Sequence, residues 1–163
     1  PTITSMMRDA HVIFDSVRNR LKERGFTGRL IVMGRSLGSA SALELAGNYS
    51  DLIDGLIIES AFATVRPLLM LLGINMEQMG LREDDGIQNS NKIAQFTKPT
   101  LIIHGEYDQL LPLAEGKALY EASPAADKRL LMIKGANHND IFMRGMKEYL
   151  EAVKELAEKI QAS

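Results

Sequence analysis

Leu30-Ile31-Val32-Met33-Gly34-Arg35-Ser36-Leu37-Gly38 is the stretch that decides the fold. Its opening run of apolar residues ahead of a glycine reads as a short strand covered on both faces, as in parallel sheets. The pattern Gly34-x-Ser36-x-Gly38 comes next, and a helix is expected from about Gly38 to Ala46. A G-x-S-x-G pentapeptide alone is a weak signal. Between a strand and a helix it describes a sharp turn that holds a serine in a strained backbone conformation, its hydroxyl exposed above the strand ends. The following N–H, that of Leu37, would then point at a developing oxyanion. Ser39, Ala40 and Ser41 suit a helix packed close to a sheet.

Upstream, Met7, Ala10, Phe14, Val17 and Leu21 mark the buried stripe of an amphipathic helix over residues 5–24, with Thr4 or Ser5 as its cap and Gly25 as its end. Downstream, Leu56-Ile57-Ile58, Thr100 to Ile103 and Leu130 to Ile133 read as strands. Helical patterns cover residues 112–122, opened by Pro112, and 140–161, where Phe142, Met146, Tyr149, Val153, Leu156 and Ile160 recur at spacings of four and three. Strands alternating with helices predict an α/β fold, a parallel sheet with helices on both faces. Residues 60–98 break the rhythm and form a cap-like insertion, too long for an ordinary connection. Its apolar piece, Leu68 to Leu72, has two readings. It is either a core helix or, with Met76 and Met79, a cap lining an apolar pocket beside the polar stretch Arg82 to Gly86.

The 163 residues suit a single domain, with 45% apolar and 25% charged side chains. A net charge of −2 argues against a nucleic-acid partner bound through bulk charge. With no cysteine, a disulfide framework, a thiolate metal site and a cysteine nucleophile are excluded. A cytoplasmic location is the expectation. The longest apolar stretches, such as Pro67 to Ile74, fall short of the roughly 20 residues of a membrane span. The sequence begins at Pro1, so a signal or anchor ahead of it cannot be read.

A serine hydroxyl needs a base, and the base an orienting carboxylate. Of the three histidines, His138 follows the last strand on a loop opening the final helix, in Gly135-Ala136-Asn137-His138-Asn139-Asp140, and is the candidate base. His11, on the first helix, is better explained by packing, and His104, at a strand end, by bonds to nearby backbone. Active groups in open α/β sheets gather beyond the carboxyl ends of the strands. Asp108, after the Thr100 to Ile103 strand, fits as the carboxylate. Glu59, ending the preceding strand, and Glu106 are alternatives, whereas Asp140 is too near His138 in sequence. An arginine at the position of Arg35 more often bonds backbone or carboxylates than substrate.

Three motifs in order, Gly34 to Gly38, His104-Gly105-Glu106-Tyr107-Asp108 up to Pro112, and Gly135 to Asp140, resemble the C-terminal part, about two-thirds, of an α/β-hydrolase. The combination looks most like the α/β-hydrolase-domain proteins related to depalmitoylating serine hydrolases. The resemblance implies that Ser36 attacks an acyl carbonyl, that His138 takes its proton while Asp108 holds the imidazole, and that Leu37 supplies an oxyanion N–H. It implies an acyl-enzyme on a small-molecule or acyl substrate, with no metal or organic cofactor. Ester or thioester hydrolysis is the first expectation, favoured by the apolar segment 68–79. A prolyl-oligopeptidase-like or aminopeptidase-like peptidase, using the same triad, and a non-catalytic interaction module are the alternatives. Residues 1–28 lack the strands such a fold places first, one of whose loops would give the second oxyanion donor. Losing one donor costs about 100- to 1000-fold in turnover, and the strand at Leu30 would present an unpaired edge. The expectation is therefore a piece of a longer protein or, less readily, an edge-paired or domain-swapped dimer.

Overall fold

In the computed structural model, which describes residues 3–71, 73–75, 77 and 87–162, strands and helices alternate. The order is α1 (Ile3–Glu23), β1 (Ile31–Arg35), α2 (Gly38–Asn48), β2 (Gly55–Glu59), α3 (Arg66–Leu71), α4 (Asn89–Ile93), β3 (Thr100–Gly105), α5 (Leu113–Ala122), β4 (Lys128–Ile133), α6 (Ile141–Arg144) and α7 (Met146–Ala162). The strands form one four-stranded sheet in the order β1-β2-β3-β4, all neighbours parallel. Val32 lies opposite Leu56, and Ile102 opposite both Ile58 and Leu130.

The pleat sends successive side chains to opposite faces, and two helical layers meet them. Leu56, Ile58 and Ile102 pack with Phe14 of α1, Leu43 and Ala46 of α2, Ile93 of α4 and Leu119 of α5. Ile57, Leu101 and Ile103 pack with Tyr149, Ala152, Leu156 and Ile160 of α7. Every residue of β2 and β3 is buried, which is why they read as uninterrupted apolar runs. Each large side chain so enclosed contributes roughly 1.5–3 kcal/mol, so these central strands anchor the fold.

The margins depart from the sequence reading. Among the described residues β1 pairs with β2 alone, the unpaired edge expected of it, but it is not covered on both faces as its apolar run suggested. Ile31 and Val32 are half-buried and Met33 is exposed. The α1 stripe is correspondingly shallow: of its expected inward residues only Phe14 is buried, Val17 is exposed, and Val12 and Ile13 face outward. The helix begins at Ile3, so Thr4 and Ser5 lie inside its first turn rather than capping it. Gly25 does end it, with φ +73° and the Phe26 N–H donating to Leu21 O.

The last helix is broken at Gly145. That residue passes so close to β4 that a Cβ would lie 2.6 Å from side-chain carbons of Ile133. Phe142 and Met146, expected on the buried stripe, are about half exposed beside this break. Between β2 and β3, no residue of α3 is buried. Leu68 and Leu69 rest against a small cluster of Ala40, Phe62, Val65, Ile87 and Leu111, while Met70 and Leu71 are exposed. Leu72, Met76, Met79 and Arg82 to Gly86 lie outside the described residues.

Candidate active site

The elbow is built by close packing and strain together. A Cβ at Gly34 would stand 2.5 Å from Gly38 O and 2.6 Å from Ala42 Cβ, so only glycine lets α2 descend onto β1 at this point. Ser36 then takes φ +51°, a left-handed conformation that is costly for a residue with a side chain. Local bonds hold it there: its N–H donates to Glu59 O at 2.9 Å, and its carbonyl accepts the Ser39 N–H at 3.0 Å and the Ser39 hydroxyl at 2.6 Å. The Leu37 N–H, next in the chain and ahead of α2, donates to no acceptor among the described residues.

Asp108 follows β3 on a tight turn. Its Oδ1 accepts the N–H groups of Leu110 (3.0 Å) and Leu111 (2.9 Å), which fixes the carboxylate in a fully enclosed position. Oδ2 is left to accept His138 Nδ1–H at 2.8 Å. With that proton on Nδ1, Nε2 is the acceptor for the Ser36 hydroxyl, 3.1 Å away. The loop carrying His138 turns at Gly135, φ +73°, whose N–H donates to Glu106 Oε2 at 2.8 Å. Tyr107 N–H donates to Ala136 O. Asp140 accepts from Asn137 N and Arg144 Nε, and the Arg144 bond holds its carboxyl below the ordinary range.

Elements far apart in sequence thus bring Ser36, Asp108 and His138 into one hydrogen-bonded line. The other candidates go elsewhere. Glu59 is bonded to Arg35 and Tyr149, and Glu106 supports the His138 loop. His104 is wholly buried and donates Nε2–H to Leu111 O at 2.8 Å. Its Nδ1 has no hydrogen-bond partner among the described residues and faces Gly116, where a Cβ would approach to 2.6 Å. Burial pushes its pKa down. His11 bridges helices, against Tyr49 Oη (2.9 Å) and Glu44 (3.3 Å). Arg35 reaches a carboxylate and a backbone carbonyl; its carbonyl partner, on the His138 loop, is the feature that sequence reasoning missed. Among the described residues no three His, Cys, Asp or Glu side chains are placed to hold a metal ion, and no helix is long and apolar enough to cross a membrane.

A family model described as serine aminopeptidase, S33, matches residues 85–143, which include Asp108 and His138. The chain is 29% identical to α/β hydrolase domain-containing protein 17C of Xenopus tropicalis over 95% of its own length. The sheet and helices superpose on the monoacylglycerol lipase of Paleococcus ferrophilus with a TM-score of 0.69 at 19% identity, covering 93% of this chain and 75% of that one. The chain has the α/β-hydrolase fold. Est1E from Butyrivibrio proteoclasticus gives a TM-score of 0.71 at 22% identity, covering 92% and 69% of the two chains. The chain spans about half the length of the curated relatives it matches, 46% of the Xenopus protein.

Proposed function

We propose that the chain carries the catalytic triad of a serine hydrolase that cleaves carboxylic ester or thioester bonds. The observation behind this reading is the line Ser36 Oγ, His138, Asp108, with bonds of 3.1 and 2.8 Å. Ser36 Oγ attacks the acyl carbonyl as His138 Nε2 takes its proton, and the Leu37 N–H donates to the oxyanion. His138 passes the proton to the departing alkoxide or thiolate, leaving an acyl-enzyme. Water, deprotonated by His138, then releases the acid. Asp108 stays ionised and keeps the Nδ1 proton in place.

Acyl chains are favoured over charged substrates by the half-buried Leu68 and Leu69 and the exposed Met70 of α3. The likeness to an α/β hydrolase domain-containing protein supports hydrolysis. The description of the matching family model favours a second reading, an aminopeptidase using the same triad. Fluorophosphonate labelling read by peptide mapping tests the nucleophile: one adduct on Ser36 is expected, and no adduct overturns the hydrolase reading. Turnover of p-nitrophenyl esters without cleavage of aminoacyl-anilides is the expected specificity, and faster anilide cleavage would assign the peptidase instead.

A further inference from the structure

Glu59, at the end of β2, has a side chain only 8% exposed, and its carboxylate bonds to none of the triad side chains. Both of its carboxylate oxygens are occupied. Oε1 accepts Arg35 Nε–H at 2.9 Å, and Oε2 accepts the Tyr149 hydroxyl at 2.8 Å. Arg35 Nη2 donates in turn, in a short bond, to the backbone carbonyl of His138. A continuous polar chain therefore runs from α7 through β2 and the elbow to the loop of the base, bridging sequence separations of 90, 24 and 103 residues.

We propose that Arg35, braced by Glu59 and Tyr149, is a positioning residue that ties the His138 backbone to the elbow and so sets the distance from His138 Nε2 to Ser36 Oγ. This rests on the serine hydrolase reading and deepens it. Asp108 fixes the imidazole at Nδ1 alone, which leaves the ring free to swing about that bond as the loop shifts. Other loop anchors act at Gly135, Ala136, Asn137 and Asn139; Arg35 holds the carbonyl of the base itself. It also adjoins Ser36 in the chain, so one side chain references the base to the backbone of the nucleophile.

Guanidinium is suited to this task. Its planar fork donates in two directions at once, to a carboxylate and to a carbonyl, whereas an ammonium on a flexible stem is a poor substitute. Tyr149 steadies the far side of Glu59. Burial and the adjacent carboxylate push its pKa up, so the hydroxyl keeps its proton and remains a donor. The bracing matters because the Arg35 side chain is 43% exposed and a solvated arginine otherwise samples many rotamers.

The test uses Arg35→Ala, Arg35→Lys and Glu59→Gln in the full protein, with fluorophosphonate acylation of Ser36 and steady-state ester hydrolysis as readouts. Misplacing a general base by an ångström costs up to about 100-fold, so Arg35→Ala should lower kcat and acylation by about ten- to 100-fold. KM should stay near its wild-type value. Added methylguanidinium should restore part of the lost rate in Arg35→Ala, and Arg35→Lys should remain impaired. Glu59→Gln should fall between wild type and Arg35→Ala, and it carries the test if Arg35→Ala does not fold. A raised KM with unchanged kcat would place Arg35 on the substrate and overturn the proposal. So would wild-type rates in folded Arg35→Ala or Glu59→Gln, or a loss that methylguanidinium leaves untouched. Failure of the wild-type protein to label would instead overturn the hydrolase reading beneath it.

Discussion

Ser36, the proposed nucleophile, carries the backbone strain of the site. Alanine at this position keeps the cost of φ +51° while removing the nucleophile. Ser36→Ala should therefore abolish fluorophosphonate labelling and leave the thermal midpoint nearly unchanged, and residual burst kinetics in that variant would refute the assignment. Ser36→Gly should be equally inactive but more stable, by up to about 1 kcal/mol, because glycine adopts a left-handed backbone without penalty. Denaturant titration of the two variants checks the difference. His104 makes a pH prediction. Burial lowers its pKa in the folded state below the ordinary 6.5, so the unfolded chain binds more protons as pH falls through that value. Stability should decline from pH 6.5 downward and level off below the folded-state pKa. The midpoint of His104→Asn should fall less steeply over the same window. These residue roles differ in legibility. Ser36, Asp108 and His138 stand directly after predicted strands, and strand ends in an open α/β sheet converge on one rim. The Arg35 bond to His138 O was invisible, because a backbone acceptor leaves no mark on the residue type across 103 positions.

At the scale of elements, the strand-turn-helix of β1, Ser36 and α2 stands or falls with Gly34. Gly34→Ala inserts a methyl against Gly38 O, Ala42 Cβ and Ser39 Cα, all within 2.8 Å and two of them backbone atoms. The expected cost is about 1–3 kcal/mol, read by denaturant unfolding, with slower acylation of Ser36 as the elbow shifts. The central strands were legible because burial on both faces demands apolar residues at every position. Helix α7 was legible from Tyr149 onward, where Tyr149, Leu156 and Ile160 meet β2 and β3. Its start was not. The periodic stripe runs through Phe142 and Met146 as if uninterrupted, and the break depends on how closely Gly145 approaches Ile133, a distance periodicity does not encode. Likewise α3 has the composition of a core helix yet buries none of its residues, since composition does not say which side of a helix finds a neighbour.

For the whole molecule, the outstanding feature is the β1 edge. Beside it an apolar groove of about 510 Å³ runs between α1 and the strand, lined by Ile13, Phe14, Val17, Val32 and Met33. An open parallel edge flanked by apolar side chains is a template for strand pairing. The 163-residue chain should therefore associate as its concentration rises, and Met33→Lys, placing a charge on an exposed edge position, should reduce that association in sedimentation velocity without lowering the thermal midpoint. Equal association in both proteins would show that β1 is not the contact. The amino-acid sequence by itself determined the α/β class, the order of strands and helices, the elbow and the residues able to serve as nucleophile, base and acid, because these depend on local periodicity and on turn chemistry. Only the tertiary structure decided that Met33 of β1 is exposed, that α1 leaves an apolar flank uncovered and that Glu59 braces Arg35 instead of serving His138. Each of those outcomes depends on which surfaces meet across long sequence separations, and contacts of that kind are set by packing rather than by any residue's neighbours in the chain.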